Sequence, residues 1–273
     1  MLHPAHPPVI FQRASSFNNR VQLAYFVEFP YTILGIHPHL LFEVMGYVVG
    51  FVLIMREKKK YGDTVNDEQR AWLIFAALAG ALLGARILAF LEHLDELPDS
   101  DVPVILFGGK TIVGGLLGGT AGIEIAKRIL GITQRTGDVY VTPLVYSMAI
   151  GRLGCFFTGL DDATYGTFTD LPWGVDFGDG PRHPTQLYGI VALFSILTYL
   201  NYSKQTIAGK RFQLFMILYL SWRLIVDSIK DATTTELLFL TPIQWACILG
   251  LAYFFTYGAP GEYLKAETTG EES

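Results

Sequence analysis

Apolar residues along this chain fall into seven blocks separated by short polar stretches: about 39–55, 71–91, 103–126, 139–157, 185–202, 212–228 and 239–257. A helix needs roughly 17 to 25 predominantly apolar residues to cross a bilayer. The blocks meet that requirement, and the first and fifth are short. The pattern predicts an all-α integral membrane protein of seven transmembrane helices around a central cavity open to the outer leaflet or periplasm. The other reading of long apolar blocks is a soluble protein with buried helices. Composition speaks against it, because 51% of the residues are apolar and 16% charged, where soluble domains carry roughly a quarter charged residues.

The regions flanking the blocks differ in character. Residues 1–38 show no basic start followed by a continuous apolar core, so no secretory leader is expected there. Within them "VQLAYFVEFPYTILGI" is broken by Glu28 and Pro30 and is expected to lie along the outer interface. Residues 39–257 form the membrane domain. Residues 258–273 are a polar tail, expected to be disordered and cytoplasmic.

The distribution of positive charge orients the spans. Arg56, Lys58, Lys59, Lys60 and Arg70 flank the first loop, and the following "HLDELPDSD" has no basic residue. Lys127, Arg128 and Arg135 come next, then a long loop whose basic residue is Arg182. Lys204, Lys210 and Arg211 follow, and after them Lys230. Alternate loops are basic, which places the N-terminus outside and the C-terminus in the cytoplasm. The net charge of −5 gives no basic excess for nucleic acid, and no P-loop or dinucleotide fingerprint is present. Cys155 and Cys247 both fall inside spans, so no disulfide framework is expected.

With this orientation, helical rise assigns each polar residue a depth. Arg86, Arg152 and Arg223, with Asp227 one turn beyond, converge on the outer half of the membrane. Glu43, Gln244, Gln186 and Tyr188 open their own spans at that level, beside "PRHP" at 181–184. An intramembrane arginine costs roughly 2.5–3.5 kcal/mol even on the lenient insertion scale. Either Glu43 and Asp227 neutralise arginines as buried pairs, or an external anion completes the balance, since three cations face two carboxylates. A guanidinium fork suits a phosphate, and an outer-leaflet phospholipid head group carries one. Glu124 lies too far toward the cytoplasm and is expected to pair with Lys127 or Arg128. In the third span Gly114, Gly118 and Gly122 form one row of small residues and Gly115 and Gly119 another. Such rows serve close helix packing, and backbone so bared can also approach a ligand. Lys110 is placed to snorkel or to join the anion site.

At "GRLGCFFTG", "RHPTQLY" and "YLSWRLIVD" the chain resembles the bacterial prolipoprotein diacylglyceryl transferases. These are seven-span enzymes of the inner membrane that move diacylglycerol from phosphatidylglycerol to the thiol of a lipobox cysteine. The resemblance runs from about residue 40 to 255. Gly151, Arg152, Gly154, Phe156 and Gly166 match the family's Gly-Arg-x-Gly-Asn-Phe stretch and its later glycine. Arg86 matches a second-span arginine, and Tyr219 and Arg223 match the sixth-span pair. Arg182, His183, Pro184, Gln186, Leu187 and Tyr188 match Arg-His-Pro-x-Gln-Leu-Tyr. The resemblance implies phosphatidylglycerol as donor, prolipoprotein signal peptides as acceptor and glycerol phosphate as leaving group, with no cofactor. It implies Arg152, Arg223 and Tyr219 as catalytic residues, with Arg86, Gly151, Gly154, Gly114, Gly115, His183, Gln186 and Tyr188 lining the substrate site. Four positions depart from the family pattern. Its third-span histidine is Val113, its signature asparagine is Cys155, a first-span aromatic is Glu43, and the acid after Gln-Leu-Tyr is Gly189.

Thiol attack needs a base, and with Val113 in place of the histidine the first candidate is Glu43, whose pKa burial would raise. His183 is the second. Cys155, one turn from Arg152, reads as a small hydrophobe or as a thiolate favoured by the adjacent cation. Asp161 and Asp162 read as a solvated outer loop or as part of the acceptor entrance. "HPH" at 37–39 suggests a metal, but no supporting Cys or Asp/Glu pattern accompanies it and none is expected. The alternatives are a family member with another acceptor, a phospholipid-binding protein without catalysis, or a transporter. The last would show related halves, and none are visible.

Overall fold

The computed structural model describes residues 37–61, 65–94, 109–203, 207–230 and 238–256. The 21–36 stretch and the polar tail lie outside these. Seven α-helices make up most of what is described: α1 (Pro38–Tyr61), α2 (Asp67–Glu92), α3 (Ile112–Leu130), α4 (Val141–Thr158), α5 (Thr185–Tyr202), α6 (Lys210–Asp227) and α7 (Pro242–Thr256). A small antiparallel hairpin, β1 (Val175–Asp176) with β2 (Pro181–Arg182), stands between α4 and α5. Each apolar block contains one helix. The third begins at Ile112, later than the block, because Thr111 caps it by accepting the Gly114 amide at 3.2 Å. It ends at Gly131, whose φ of 65° is a left-handed conformation that glycine adopts without steric cost.

The end of a helix accounts for Gln244, one of the polar residues that helical rise places in the outer half. Thr241 and Gln244 form a reciprocal cap at the start of α7: the Gln244 amide donates to Thr241 Oγ1 at 3.1 Å, and the Thr241 amide to Gln244 Oε1 at 2.9 Å. This satisfies two otherwise orphaned donors, so Gln244 is used locally. Asp138 does the same across the chain, accepting from the Gly209 and Phe212 amides at the start of α6.

The helices pack as α2 on α3, α1 on α4, α4 on α5, α5 on α6 and α6 on α7, with α3 also touching α7. Backbone contact holds α2 to α3. A Cβ at Gly80 or Gly84 would run into the carbonyl of Gly118 or Gly114, and one at Gly122 into that of Ala76. The third-span row 114-118-122 is therefore an antiparallel small-residue seam. Gly114 is buried in it, facing α2 rather than a ligand, and Gly115 sits against Ala81 and Ala85. Helices α1 and α4 are joined by Ser147 Oγ donating to the Gly46 carbonyl at 2.8 Å and by Phe42 stacked on Phe157. The apolar core runs through Val113, Val145, Leu193, Leu197, Phe215, Leu220 and Cys247.

Outside that core the bundle is apolar where a water-soluble protein would be polar. Tyr47, Val48 and Phe51 on α1 and Phe75, Leu78, Leu82 and Leu83 on α2 are all exposed. Three helical stretches, 38–59, 67–92 and 137–162, are long and apolar enough to cross a membrane, and α7 is apolar but shorter. A cavity of about 530 Å³ opens between α1, α2, α3, α6 and α7. It is lined by apolar side chains with Lys58, Glu124, Lys127 and Arg135 among them. Glu124 meets Lys127 there at 3.6 Å, the pairing the sequence led us to expect. The three arginines do not line this cavity; they sit toward the other end of the bundle.

Candidate active site

Arg152, Arg223 and Tyr219 come together where α4, α5 and α6 meet. Tyr219 and Arg223 are one turn apart on α6 and both buried. The Tyr219 hydroxyl partners the Arg152 guanidinium, with Cys155 and Asp162 also in electrostatic reach, and the tyrosine ring stacks on Phe215 at 6.0 Å. The charge balance resolves residue by residue. Asp227 takes Arg223, Oδ1 lying 2.9 Å from Nη2 with both side chains nearly sealed, and its other oxygen accepts from Thr241 Oγ1 at 2.6 Å. Glu43 pairs with Lys110 at 2.6 Å instead of with an arginine. Arg86 donates to the Gly109 carbonyl at 2.8 Å, anchoring the approach to α3. Arg152 is left over. Among the described residues no carboxylate lies within 4 Å of it.

Two glycines stand beside Arg152. A Cβ on Gly151 would meet nothing within 4 Å, and one on Gly189 would come 3.7 Å from Arg152 Nε. The missing acid at 189 thus leaves room beside the guanidinium. One turn before Gly189, and so on the same face of α5, Gln186 is fully buried, and neither its amide nitrogen nor its oxygen has a hydrogen-bond partner among the described residues. A buried polar group left unpaired costs about 1–3 kcal/mol.

Two charged residues that the sequence did not single out for the site lie beside the arginines. Glu92, at the end of α2, is buried and within electrostatic reach of Lys230, Arg223 and Asp227. Lys230 follows α6. Its burial, then the flanking guanidiniums of Arg223 and Arg152, pull its pKa down from the usual lysine range to about 8. Both lay just outside the apolar blocks, where charges are ordinary, so nothing in the sequence set them apart.

The Arg-His-Pro stretch builds the floor of the loop between α4 and α5. Arg182 is buried, its fork on Asp179 at 2.7–3.0 Å and its guanidinium over the Phe168 ring at 3.7 Å. The guanidinium holds the Asp179 carboxyl below the usual range. Gly166 donates its amide to the His183 carbonyl at 2.9 Å, and a side chain there would strike His183. His183 Nδ1 meets the Tyr188 hydroxyl at 3.1 Å, and Trp173 Nε1 donates to the same oxygen at 2.9 Å. His183 and Tyr188 are thereby tied to each other.

On the other side of α4, Gly154 lets α1 cross closely. A Cβ there would lie 2.9 Å from Phe42 Cβ and 3.4 Å from His39 Cα. That approach sets His39 beside Cys155 and Asp162, with His39 Nδ1 3.3 Å from Asp162 Oδ1 and Nε2 3.7 Å from Glu43 Oε2. Tyr47 donates to Glu43 at 2.8 Å. Glu43 is a carboxylate already held by an ammonium and a phenol, an arrangement that suits orienting a neighbour better than abstracting a proton.

A helical bundle with an apolar exterior and arginines set among its helices has the make-up of a membrane protein. The sequence profile described as prolipoprotein diacylglyceryl transferase matches residues 27–258. Similar curated proteins carry the name phosphatidylglycerol–prolipoprotein diacylglyceryl transferase. One from Legionella pneumophila (strain Corby) is 33% identical over 217 residues, covering 75% of this chain and 83% of its own. One from Actinobacillus pleuropneumoniae serotype 3 is 34% identical, covering 70% and 75%. One from Geobacter sulfurreducens is 28% identical, covering 78% and 85%. The chain belongs to the prolipoprotein diacylglyceryl transferase family and is a multi-pass membrane protein.

Proposed function

We propose that the protein transfers the diacylglyceryl group of phosphatidylglycerol to the cysteine thiol of a prolipoprotein signal peptide, releasing glycerol phosphate. The observation that carries this is Arg152: a half-buried guanidinium with no carboxylate within 4 Å among the described residues, no side chain at Gly151 or Gly189 beside it, and the unpaired amide of Gln186 on the adjoining helix. In a site of low dielectric, such a preorganised cation stabilises charge developing on a departing phosphate. Arg152 and Arg223 hold the phosphate. Tyr219 steadies Arg152, and Arg86 fixes the neighbouring backbone. Tyr188 and His183 line the outer mouth, and Gln186 offers its buried amide within the site. Gly151 gives the lipid access, while Gly154, Gly114 and Gly115 set the helix spacing. Glu43 acts on the acceptor side as a positioning residue through His39. The names of the relatives support both substrates.

In this reading all seven helices cross the bacterial inner membrane. Residues 1–38 lie on the periplasmic side and 258–273 in the cytoplasm, and the site opens to the outer leaflet. The alternation of basic loops supports that orientation. The test is the purified protein in phosphatidylglycerol vesicles with a lipobox peptide, following glycerol phosphate and the peptide mass together. Release with a peptide gain of one diacylglyceryl unit is expected. Val113, standing where the family has a histidine, favours a second reading, phospholipid binding without transfer. Saturable lipid binding with no release would establish that reading instead.

A further inference from the structure

His39, Cys155 and Asp162 come from three separate segments: the start of α1, the last turn of α4 and the loop beyond it. Their ligating atoms all lie within 4.8 Å of one another. We infer that these three side chains form a zinc site with an open fourth position, and that this position takes the acceptor thiol. The inference rests on the transferase reading above only for what occupies the fourth position.

Several features fit zinc. A thiolate, an imidazole and a carboxylate are the donor types this ion takes, and three protein ligands with one vacancy is the pattern of its catalytic sites. Ligands about 2.0–2.1 Å from a tetrahedral ion stand about 3.3 Å apart. His39 Nδ1 and Asp162 Oδ1 stand 3.3 Å apart. The ligands also have outer partners of the kind that orient metal ligands: Glu43 faces the free nitrogen of His39, and Thr164 Oγ1 donates to the second oxygen of Asp162. Gly154 supplies the close crossing of α1 and α4 that brings His39 to Cys155.

The site answers a specific chemical need. The acceptor must be a thiolate, and the histidine that would make one is Val113. A coordinating thiol is deprotonated outright by the metal, with its proton passing to water. The zinc-bound sulfur then attacks the diacylglyceryl carbon that bears the phosphate. One S–C bond forms, one C–O bond breaks, and the electron pair leaves on the glycerol phosphate oxygen, which the Arg152 site stabilises. Cys155 lies one turn from Arg152, about 4.5 Å of helical rise, so nucleophile and leaving group meet across a single turn of α4.

The test uses the full chain in detergent. Purified without chelator, it should carry about one equivalent of zinc by elemental mass spectrometry. Cys155→Asn, which places the family's residue at that position, and Asp162→Asn should lose it, and Thr164→Val should bind it roughly 10- to 100-fold more weakly. With Co²⁺ in place of zinc, the parent should show a thiolate-to-metal absorption band that Cys155→Asn lacks. A cysteine lipobox peptide should strengthen that band, and its serine counterpart should not. Equal metal loading in the parent, Cys155→Asn and Asp162→Asn, or no stoichiometric metal at micromolar zinc, would overturn the site. A band unchanged by the cysteine peptide would overturn its role toward the acceptor. Transfer at full rate in metal-free protein would refute the zinc site and leave the transferase reading standing. A peptide-responsive band without any transfer would do the reverse.

Discussion

Replacing Arg152 isolates the contribution of its fork. The side chain has no carboxylate within 4 Å among the described residues; Tyr219 bonds it, and Cys155 and Asp162 act on it electrostatically, so its removal acts mainly on the ligand. Lysine keeps the charge but offers one directed bond where the guanidinium offers two in parallel. A hydrogen bond to a charged group is worth about 1.5–3 kcal/mol, which converts to roughly a 10- to 150-fold loss in kcat/KM for Arg152→Lys. Arg152→Ala loses both bonds and the charge, and should fall by at least about 150-fold. The assay is glycerol phosphate release from phosphatidylglycerol vesicles, with lipid binding measured separately. If the phosphate is held more tightly as it departs, the loss falls on kcat more than on binding. Arg152→Ala retaining activity within a few-fold of the parent would refute the anion site.

Asp227→Asn leaves Arg223 buried and unpaired and should cost about 3–5 kcal/mol, read as a lowered melting temperature in detergent; an unchanged melt would mean that water reaches the pair. Gly118→Leu drives a side chain into the α2 backbone and should destabilise by about 1–3 kcal/mol or more. Gly151→Ala, with open space around it, should leave the melt unchanged. Lys230 titrates near 8, and a bound phosphate favours its charged form. Lipid affinity should therefore be flat below about pH 8 and fall by up to tenfold per unit above it, a step that Lys230→Met should abolish. In the lipid-free protein the depressed pKa means the unfolded chain binds that proton more tightly. Stability from this group should accordingly rise between about pH 8 and the ordinary lysine value near 10.4. Reporter fusions at Gly62 and Ser203 should be cytoplasmic and one at Asp99 periplasmic; the same side for Gly62 and Asp99 would undo the proposed orientation.

The seven helices were legible because each is an apolar block of its own, and length and composition are local properties of the chain. The third-span glycine rows were legible too, since a spacing of four puts small residues on one face whatever they pack against. The three arginines were conspicuous through rarity alone. What each one meets was not in the sequence. Two carboxylates were available in the outer half, and only the fold assigns Asp227 to Arg223 and Glu43 to Lys110. Only the fold leaves Arg152, beside Gly189, with no carboxylate within 4 Å among the described residues. The same holds for His39, Cys155 and Asp162. The "HPH" stretch offered no metal pattern by itself, because its companions lie more than a hundred residues away. The crossing of α1 over Gly154 brings them together. Apolar blocks follow from local composition, whereas charge pairing depends on distances of a few ångströms between segments far apart in the chain, and those distances exist only once the helices are packed.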